Sequence, residues 1–294
     1  MTAMEDRTPT VAFQGEHGAF SEEALLEHFA GRARPIPKRD FRAVGEAVLG
    51  GEAELGILPV ENTLAGSVQG SHDVLADGGL AIVGEVVLAI RLFLLGVQGA
   101  REETLRRILS HPVALAQCTR YLRAHPRAEA VTVHDTAGAA REVAQLADPE
   151  IAAVAPRGAA ERYGLTVLAS DLQDREDNQT RFYVVRREEE VGEAPPPEEG
   201  GSFRTVVLLE LADRPGALVE VLEPLAARGI DLSRIESRPA AIPWRYRFLL
   251  ELRAHAADPD ARAALDEARR GSTAFRVLGS FPVFRTAGVS EADG

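Results

Sequence analysis

The sequence predicts an α/β protein in two parts, a larger region followed by a smaller ferredoxin-like (βαββαβ) domain. In the larger region, short apolar strand patterns alternate with amphipathic helix patterns up to about residue 187, as in open α/β folds. The stretch REEEVGEAPPPEEGG, residues 187–201, is acidic and rich in proline and glycine, which is typical of a linker. At 294 residues, each part is long enough to bury its own core.

The first half of the larger region contains two predicted strands and three predicted helices. TVAFQ (10–14) and ELGILPV (54–60) are short and apolar, as buried strands are. The predicted helices are FSEEALLEHFA (20–30), which Ser21 opens, FRAVGEAVLGG (41–51) and SVQGSHDVLAD (67–77). The most apolar stretch, residues 80–97, is interrupted by Glu85 and Arg91, so it predicts two buried strands and not a membrane span.

The same alternation continues beyond residue 97. Helices are predicted near 102–109 and over HPVALAQCTRYLRAH (111–125), with Ser110 as the cap of the second. The following segments are AVTVH, TAGAAREVAQLAD, IAAVAP, RGAAERYG and LTVLAS. Such a series predicts an open, mainly parallel sheet with helices on both faces.

The smaller domain reads as six elements within residues 202–285. FRTVVLLEL is a strand, RPGALVEVLEPLAARG is a helix that ends at Gly229, and DLSRIESRPA and WRYRFLLELRAH are two more strands. DPDARAALDEARRG is a second helix and FRVLGSFPV the last strand. The order β-α-β-β-α-β predicts a ferredoxin-like sandwich.

Composition excludes several classes of function. The net charge of −12 argues against a nucleic-acid partner, and the polar start MTAMEDRT and the absence of an uninterrupted apolar span predict a cytoplasmic protein. The single cysteine, Cys118, excludes internal disulfides and is expected to be a small buried side chain. The only lysine, Lys38, falls in a Pro-flanked predicted loop, which disfavours Schiff-base chemistry. The histidines lack metal-ligand spacing, so we expect no metal and no cofactor.

Two motifs place polar residues where open α/β sheets bind their ligands. GEHGAFSEEA (15–24) is a Gly-bearing turn into a helix, either an anion site or a simple capped turn. LPVENTLAGSV (58–68) puts Glu61, Asn62 and Thr63 directly after a buried strand, as ligand groups or as turn formers, and its Gly66 and Ser67 are predicted to open the next helix.

Two further motifs carry candidate polar groups. SHPVALAQCTRYL (110–122) contains Gln117 in the first turns of a helix, and its Ser-His pair lacks the spacing of a hydrolase. DNQTRFYVV (177–185) sets a polar entrance ahead of a buried strand. From these residues alone, Thr180 is either a turn residue or a catalytic one.

Together and in order, these motifs resemble the prephenate dehydratase family with a C-terminal ACT regulatory domain. DTAGAA (135–140), GALV and ESRP add to the match, which covers roughly residues 11–284. The resemblance implies loss of water and carbon dioxide from prephenate to give phenylpyruvate. It also implies two lobes similar to type II periplasmic binding proteins, with crossings near 80–97 and 171–180. The implied domains are catalytic (1–189), linker (190–201), ACT (202–285) and tail (286–294).

The resemblance also implies roles for individual residues. Thr180 would donate a proton to the leaving hydroxyl, Asn62 and Gln117 would orient the substrate, and Glu61 would either act or support structure. Arg181 would either pair with a substrate carboxylate or anchor its strand. The residues expected to contact substrate are Ser21, Thr63, Ser67, Ser110, Arg181 and Phe182.

The resemblance implies that the ACT domain binds phenylalanine through its family motifs. The binding site would lie at the interface where two such domains pair side by side. The matching residues are Gly216, Ala217, Leu218, Asp231, Glu236, Ser237, Arg238 and Pro239. We therefore expect a homodimer or homotetramer with phenylalanine as allosteric effector. Ala19 stands where the family usually has Thr, and Asp231 and Ser233 stand where it commonly has Asn and Thr.

Three other functions stay open at this point. The same chemistry on arogenate, the amino analogue of prephenate, is not distinguished by these motifs. A non-catalytic amino-acid sensor would have the same two domains and bind ligand without turnover. A transferase would have to use Lys38, against its expected place in a loop.

Overall fold

The computed structural model describes residues 8–192, 202–240, 242 and 244–285. Its strands up to residue 187 are β1 (Thr10–Gln14), β2 (Arg34–Lys38), β3 (Leu55–Asn62), β4 (Gly66–Ser67), β5 (Leu80–Ala89), β6 (Phe93–Gly96), β7 (Arg107–Ser110), β8 (Glu129–Thr132), β9 (Ile151–Ala155), β10 (Thr166–Ala169) and β11 (Gln179–Arg187). Its helices there are α1 (Phe20–His28), α2 (Phe41–Leu49), α3 (Gln69–Asp77), α4 (Pro112–Ala116), α5 (Thr119–Ala124), α6 (Thr136–Leu146) and α7 (Arg157–Tyr163). The later elements are β12 (Phe203–Glu210), α8 (Ala217–Ala227), β13 (Leu232–Pro239), β14 (Tyr246–Leu252), α9 (Pro259–Gly271) and β15 (Ala274–Arg285).

The chain forms two compact units that do not follow the linker. Unit 1 comprises Met1–His72, Val86–Phe182 and Arg285–Gly294, and unit 2 comprises Asp73–Glu85 and Tyr183–Phe284. The strands β5 and β11 contribute residues to both units. The expected domain limits at residues 189 and 202 stay a prediction. Most of the expected linker (193–201) and the tail (286–294) lie outside the described residues.

Unit 1 contains two sheets. In the first, β1 pairs in parallel with both β2 and β3, and β11 follows β3 on its other side. The second has the order β10-β6-β9-β7-β8, in which β7 pairs in parallel with β8 and β9. The chain passes from one sheet to the other at residues 90–92 and returns at 170–178. The single open sheet expected from the alternation is therefore two smaller mixed sheets, which agrees with the two lobes implied by the family.

Small side chains let helices approach the second sheet closely. Its buried cluster combines Leu95, Leu109, Val143 and Ile151 with six alanines. Gly18, ahead of α1, lies so near α7 that a Cβ there would meet the Ala159 Cα at 2.7 Å. A side chain at position 18 would therefore push the turn before α1 away from α7.

Several local expectations are wrong. Residues 102–109 form a short 3-10 turn, Glu102–Thr104, followed by β7, and not a helix. The helix expected over 111–125 is two helices, α4 and α5, and Gln117 and Cys118 separate them. Gly66 and Ser67 pair with the end of β3 as the strand β4 and do not open α3. Lys38 ends the strand β2, where its Nζ pairs with Glu52 Oε1 at 2.6 Å.

The expected helix caps also shift by one or two residues. The α1 helix begins at Phe20 with Ala19 as N-cap, so Ser21 lies inside the first turn. Ser110 is the last residue of β7, and His111 is the N-cap of α4. These shifts place the first turns of both helices at the ends of strands, where the chain leaves the sheet.

Unit 2 confirms the ferredoxin-like order. Within it, β12, α8, β13, β14, α9 and β15 follow the expected β-α-β-β-α-β pattern, with neighbouring strands in the order β13-β14-β12-β15. The two helices α8 and α9 pack together over one face of this sheet through an apolar cluster that includes Val221, Leu225 and Leu265. None of the helices in the described part of the chain is both long and apolar enough to cross a membrane.

A group of buried charges lies inside unit 2. Glu85 and Glu251 are both fully buried. Arg204 lies 3.3 Å from Glu85 and 3.6 Å from Glu251, and Arg234 lies 3.5 Å from Glu251. The Tyr183 hydroxyl donates a hydrogen bond to the Glu251 carboxylate. These opposite charges compensate each other away from water. Removing one of them would leave its partner buried and uncompensated.

Glu23 on α1 provides a test of the packing of unit 1. Burial, together with the charge of Glu27, raises the pKa of Glu23 from 4.5 to about 7. Its ionised form is therefore penalised in the folded state, so stability present below pH 4.5 is lost as the pH rises through about 7. We expect Glu23→Gln to remove this loss, with an upper limit of roughly 3 kcal/mol at pH 8.

The measurement is thermal unfolding of both proteins between pH 4.5 and pH 8. The matched control is Glu129→Gln on β8, because Glu129 is exposed. Equal pH dependence of wild type and Glu23→Gln would contradict the burial of this carboxyl.

Candidate active site

A cavity of about 650 Å³ lies in unit 1 at the ends of its parallel strands. Its walls come from the turns that follow β1, β2, β3, β7 and β8, and from the first residues of β11. The lining residues are Gln14, Gly15, Ala19, Phe20, Ser21, Arg39, Asp40, Phe41, Pro59, Asn62, Ala65, Val68, Ile90, Leu92, His111, Val113, Ala114, Gln117, His134, Asp135, Thr136, Thr180 and Phe182. Ligands of open α/β sheets bind at such carboxyl ends.

Helices α1, α2, α4 and α6 all begin at this cavity, but their first turns are capped differently. Asp40 accepts a hydrogen bond from the Ala43 amide at 2.8 Å, and Asp135 accepts one from the Gly138 amide at 2.6 Å. The side chain of His111 accepts from the Val113 amide at 3.3 Å. The N-cap of α1, Ala19, has no side-chain hydrogen bond to offer. Among these four helices, α1 is therefore the one whose first-turn amides have no side-chain acceptor at the N-cap.

Ser21 stands in that open first turn. It is 7% exposed and lines the cavity. Within the described residues its hydroxyl has no hydrogen-bond partner of its own. Ser21 therefore adds a donor to the helix N-terminus at this wall of the cavity, and its contact with substrate stays a prediction.

Asn62 joins the turn after β3 to the start of β11. Its Oδ1 accepts hydrogen bonds from the amides of Leu64 (3.0 Å) and Ala65 (2.9 Å). Its Nδ2 lies 2.9 Å from Thr180 Oγ1 and 3.0 Å from the Gln179 carbonyl. The Thr180 hydroxyl is thus held against the wall that also carries Asn62.

Asn178 links this group to Gln117. Asn62 Nδ2 lies 2.9 Å from Asn178 Oδ1, and Asn178 Nδ2 lies 3.0 Å from Gln117 Oε1. Asn178 is fully buried, and its carbonyl accepts a hydrogen bond from the Ile90 amide at 2.8 Å. The three amides and Thr180 therefore form one connected set across the cavity wall.

The main chain of Gln117 is held as well. The Asp174 amide donates to the Gln117 carbonyl at 2.6 Å. The Asp174 carboxylate accepts from the Thr119 amide (2.9 Å) and from the Arg120 amide (2.9 Å). Burial acts to raise the pKa of Asp174, but these hydrogen bonds outweigh it, so that the pKa lies below its ordinary value. An ionised Asp174 thus fixes the turn between α4 and α5.

Alternate residues of β11 face the cavity. Thr180 and Phe182 line it, and Phe182 is almost fully buried there as an apolar wall. The residue between them, Arg181, pairs with Glu61 at 2.5 Å, and neither of these two lines the cavity. Of the two expected roles for Arg181, the ion pair supports the anchoring of its strand, and the role of Glu61 stays a prediction.

Three other residues expected to contact substrate do not line the cavity. Thr63 accepts a hydrogen bond from the Gln179 amide at 3.0 Å and donates to the Asp177 carbonyl at 2.8 Å, so it clamps the segment before Thr180. Ser67 is exposed on β4. Ser110 is fully buried and donates to the Val154 carbonyl at 2.6 Å. Their contact with substrate stays a prediction that this geometry does not support.

The described lining of the cavity has no net positive charge, since it includes two aspartates, Asp40 and Asp135, and one arginine. Of its described lining residues, only Arg39 carries a permanent positive charge, and its side chain is 83% exposed. Burial, with the charge of His134, lowers the pKa of His111, which keeps that imidazole neutral at pH 7. No group of three or more His, Cys, Asp or Glu side chains in the described ranges is arranged to hold a metal ion.

The expected regulatory residues spread over two places in unit 2. Ala217 and Leu218 line a small cavity of about 180 Å³ with Trp244, Tyr246 and Phe248. Gly216 precedes α8 with a φ of +83°, a conformation that glycine adopts readily. The others lie on or before β13, where Asp231 pairs with Arg253 (3.3 Å) and Glu236 pairs with Arg234 and Arg238.

Some lining residues were not foreseen from the sequence. Arg39, Asp40 and Phe41 follow β2, a strand hidden by its two prolines. His134 and Asp135 follow β8, and Asp135 caps α6. These lining residues share one feature that the sequence could have shown: each follows a strand that is parallel to its neighbour, and ligands bind at the ends of such strands.

Comparison with family models shows which protein family the chain belongs to. The model described as "Prephenate dehydratase" matches residues 11–190, and the model described as "ACT domain" matches residues 205–270. The chain belongs to the prephenate dehydratase family. Unit 1 thus contains the greater part of the prephenate dehydratase match, and most of β12 and all of α8, β13 and β14 lie within the ACT match.

Individual relatives of this prephenate dehydratase family member agree along nearly the whole chain. It is 40% identical over 286 residues to arogenate dehydratase/prephenate dehydratase 2, chloroplastic, from Arabidopsis thaliana, with 94% of this chain and 73% of that protein covered. It is 36% identical over 274 residues to a bifunctional chorismate mutase/prephenate dehydratase from Stutzerimonas stutzeri, with coverage of 92% and 73%.

Two solved structures are also similar. One is prephenate dehydratase from Arthrobacter aurescens in complex with L-Phe, with a TM-score of 0.84, 35% identity and coverage of 96% of this chain and 94% of that chain. The other is GqqA, described as a novel type of quorum-quenching acylase, with a TM-score of 0.86, 36% identity and coverage of 94% and 98%. The fold is thus shared with proteins of two described activities, so function has to be argued from the site.

Ser110 offers a direct test of the placements above. We expect Ser110→Ala to lower the free energy of unfolding by about 1–2 kcal/mol, because the buried Val154 carbonyl loses its donor. Denaturant unfolding measures this, with Ser67→Ala, at an exposed serine, as the matched control. Equal stability of the two variants would show that the buried hydrogen bond of Ser110 is not formed.

Proposed function

We propose that this protein is a prephenate dehydratase, which converts prephenate to phenylpyruvate, carbon dioxide and water in phenylalanine biosynthesis. The observation that carries the proposal is the Thr180 hydroxyl on the wall of the main cavity of unit 1, in contact with Asn62 at 2.9 Å. The family to which the chain belongs supports it, as do the names of the relatives from Arabidopsis thaliana and Stutzerimonas stutzeri.

The proposed reaction breaks two bonds and forms an aromatic ring. The electron pair of the bond between the ring and its carboxylate enters the ring as carbon dioxide leaves. The carbon–oxygen bond on the opposite side of the ring breaks, and its electron pair stays on the departing oxygen. Thr180 donates a hydrogen bond and then a proton to this oxygen, which leaves as water, and the Thr180 oxygen regains a proton from solvent. A positioned donor of this kind contributes roughly 10²–10⁴-fold.

The open first turn of α1 is the proposed site for the side-chain carboxylate of prephenate. Its amides and the Ser21 hydroxyl are donors, and the positive end of the helix dipole favours an anion there. Local donors of this kind can attract a dianionic substrate even though the chain carries a net charge of −12. Phe182, Ile90 and Leu92 supply apolar walls for the ring.

None of the described lining residues is a buried lysine or arginine, which suits the loss of carbon dioxide. A carboxylate that is firmly paired with lysine or arginine is stabilised in the ground state, which raises the barrier to its departure. The only lysine is engaged with Glu52, and Arg181 is engaged with Glu61. A Lys38-dependent transferase would need that lysine in the cavity, where it does not line the wall.

Amide hydrolysis, the activity in the description of GqqA, is less well supported by these residues. A hydroxyl nucleophile needs a neighbouring base to take its proton. The amide of Asn62 donates to Thr180 and cannot accept a proton from it. Ser110, next to His111, is fully buried and bonded to the main chain.

Arogenate is the alternative substrate. It carries an ammonium group where prephenate has a keto oxygen, and it would favour a free carboxylate in the cavity. The two lining carboxylates, Asp40 and Asp135, each cap a helix, which favours prephenate. Comparison of kcat/KM on the two substrates decides between them. A sensor without activity would bind ligand and turn over neither.

Thr180→Ala tests the catalytic role directly. We expect turnover of prephenate to fall by at least 100-fold, because the leaving hydroxyl loses its donor, while thermal unfolding stays within a few degrees of wild type. Thr180→Ser is the matched control, since it keeps the hydroxyl, and it should retain much of the activity. Phenylpyruvate formation is the measurement, and near-normal activity of Thr180→Ala would remove this residue from the mechanism.

We also propose that phenylalanine binds unit 2 and lowers activity, and that the protein is a homodimer or homotetramer. The ACT match and the L-Phe complex of the Arthrobacter aurescens relative support the effector. Unit 2 exposes several apolar side chains, among them Val219 (64%) and Trp244 (90%). Exposed apolar groups of this kind commonly mark a surface where copies pair.

Leu218→Asn tests the effector site. We expect the phenylalanine concentration for half-inhibition to rise at least tenfold, because an apolar wall of the small cavity is lost. The matched control is Leu146→Asn, at an exposed leucine on α6. Inhibition of Leu218→Asn at the wild-type concentration would place the effector elsewhere. A point substitution is preferable to truncation after residue 187, which would uncover the buried Glu85 and Tyr183.

A further inference from the structure

Asn178 occupies the centre of the connected set of amides and touches no open part of the cavity. It is fully buried, and it contacts Asn62 on one side (2.9 Å) and Gln117 on the other (3.0 Å). The oxygen and nitrogen of an amide side chain have nearly the same shape, so their order follows from the hydrogen-bond network. The question is which end of each amide faces its neighbour.

The main chain fixes the orientation of Asn62 without ambiguity. Two backbone amides, of Leu64 and Ala65, lie within 3.0 Å of one end of its side chain, and backbone amides can only donate. The Gln179 carbonyl lies 3.0 Å from the other end, and a carbonyl can only accept. The oxygen of Asn62 therefore faces its own turn, and the nitrogen faces Asn178 and β11.

This orientation passes along the chain of amides. Because Asn62 donates to Asn178, the atom of Asn178 that it meets must be the oxygen. The nitrogen of Asn178 then faces Gln117, and the atom of Gln117 that it meets must be the oxygen. The Gln117 amino group is left as a donor on the cavity wall.

The same orientation acts on Thr180. Asn62 Nδ2 lies within 2.9–3.0 Å of three acceptors, Asn178 Oδ1, the Gln179 carbonyl and Thr180 Oγ1, so that its two protons are shared among them. Since Thr180 Oγ1 accepts a hydrogen bond from Asn62, its own proton is directed away from Asn62. Both branches of the network thus end in a donor, one on Gln117 and one on Thr180.

We propose that Asn178 is a positioning residue that sets the direction of the Gln117 amide, so that Gln117 and Thr180 both present donors to substrate oxygens. The inference rests on the proposed function for its activity readout. Asn178 acts through Gln117 and does not touch the substrate. Burial gives it this control, because no water takes over its contact with Gln117 at a fully buried site.

Asn178→Asp reverses the direction while keeping the shape. An ionised aspartate only accepts, so the Gln117 amide turns its nitrogen toward it and its oxygen toward the cavity. That oxygen repels the anionic substrate. Protonation restores a donor at position 178 and returns Gln117 to its original direction.

The experiment measures phenylpyruvate formation by wild type, Asn178→Asp and Asn178→Leu between pH 5 and pH 8. We expect the rate of Asn178→Asp relative to wild type to fall at least tenfold at pH 8 and to recover as the pH is lowered. Asn178→Leu cannot donate at any pH, so its relative rate should stay low and flat. A relative rate of Asn178→Asp that does not change with pH, or near-normal activity of Asn178→Leu, would overturn the proposal.

A double-mutant cycle separates a positioning role from a general structural one. If Asn178 acts through Gln117, Asn178→Leu combined with Gln117→Ala should lose no more activity than the more damaging single change. Multiplied losses would mean that the two residues act independently, which would overturn the proposal.

The orientation is also testable without turnover. A neutron structure of crystals exchanged into D₂O shows which atom of each amide carries deuterons. Deuterons on Asn178 between it and Gln117 are expected, and deuterons on Gln117 in that position would overturn the inference. If wild type makes no phenylpyruvate but the deuterons lie as expected, the proposed function fails and the orientation stands.

Discussion

The side-chain amide of Asn62 is the interaction on which the site depends. It is satisfied at one end by its own turn and at the other by the first residues of β11, so it holds together two segments that are more than 100 positions apart in sequence. Thr63, the next residue, reinforces the same junction through Asp177 and Gln179. Without this junction the hydroxyl of Thr180 would have no fixed place relative to the strand ends that form the rest of the cavity.

The remaining walls follow from the way parallel strands are connected. Each parallel strand delivers the chain to the same edge of its sheet, and the next helix begins there. Four helices therefore point their N-termini at one cavity. In three of them an Asp or His side chain consumes a first-turn donor, and only α1 begins without such a side chain. This difference is the basis for the proposed anion site at that wall of the cavity.

Residue patterns predicted the ferredoxin-like order of unit 2 and most strands of unit 1, because these elements have clear apolar periodicity and Gly or Pro punctuation. They missed β2, whose sequence RPIPK contains two prolines, which edge strands tolerate. They also merged α4 and α5, because the interruption at Gln117 and Cys118 is imposed by contacts with Asp174, far along the chain. Local periodicity does not contain such contacts.

The same limit explains which site residues could be found. Asn62, Gln117 and Thr180 stand in motifs that carry the family resemblance, so they could be named as candidates before their place in the cavity lining was known. Asn178 lies in the same motif as Thr180, but its role depends on burial and on two distant partners. Ser110 is the opposite case. A serine beside a histidine suggests a catalytic nucleophile, but the Ser110 hydroxyl is bonded to the main chain.

The alternation along β11 has a consequence for how this protein can change over time. Thr180 and Phe182 share one face of the strand and Arg181 the other, and each face has its own fixed partners. Insertion or deletion of a single residue between Asn178 and Phe182 would turn every later side chain to the opposite face. Related chains should therefore vary here by substitution and keep the length of this segment, while gaps collect in exposed turns.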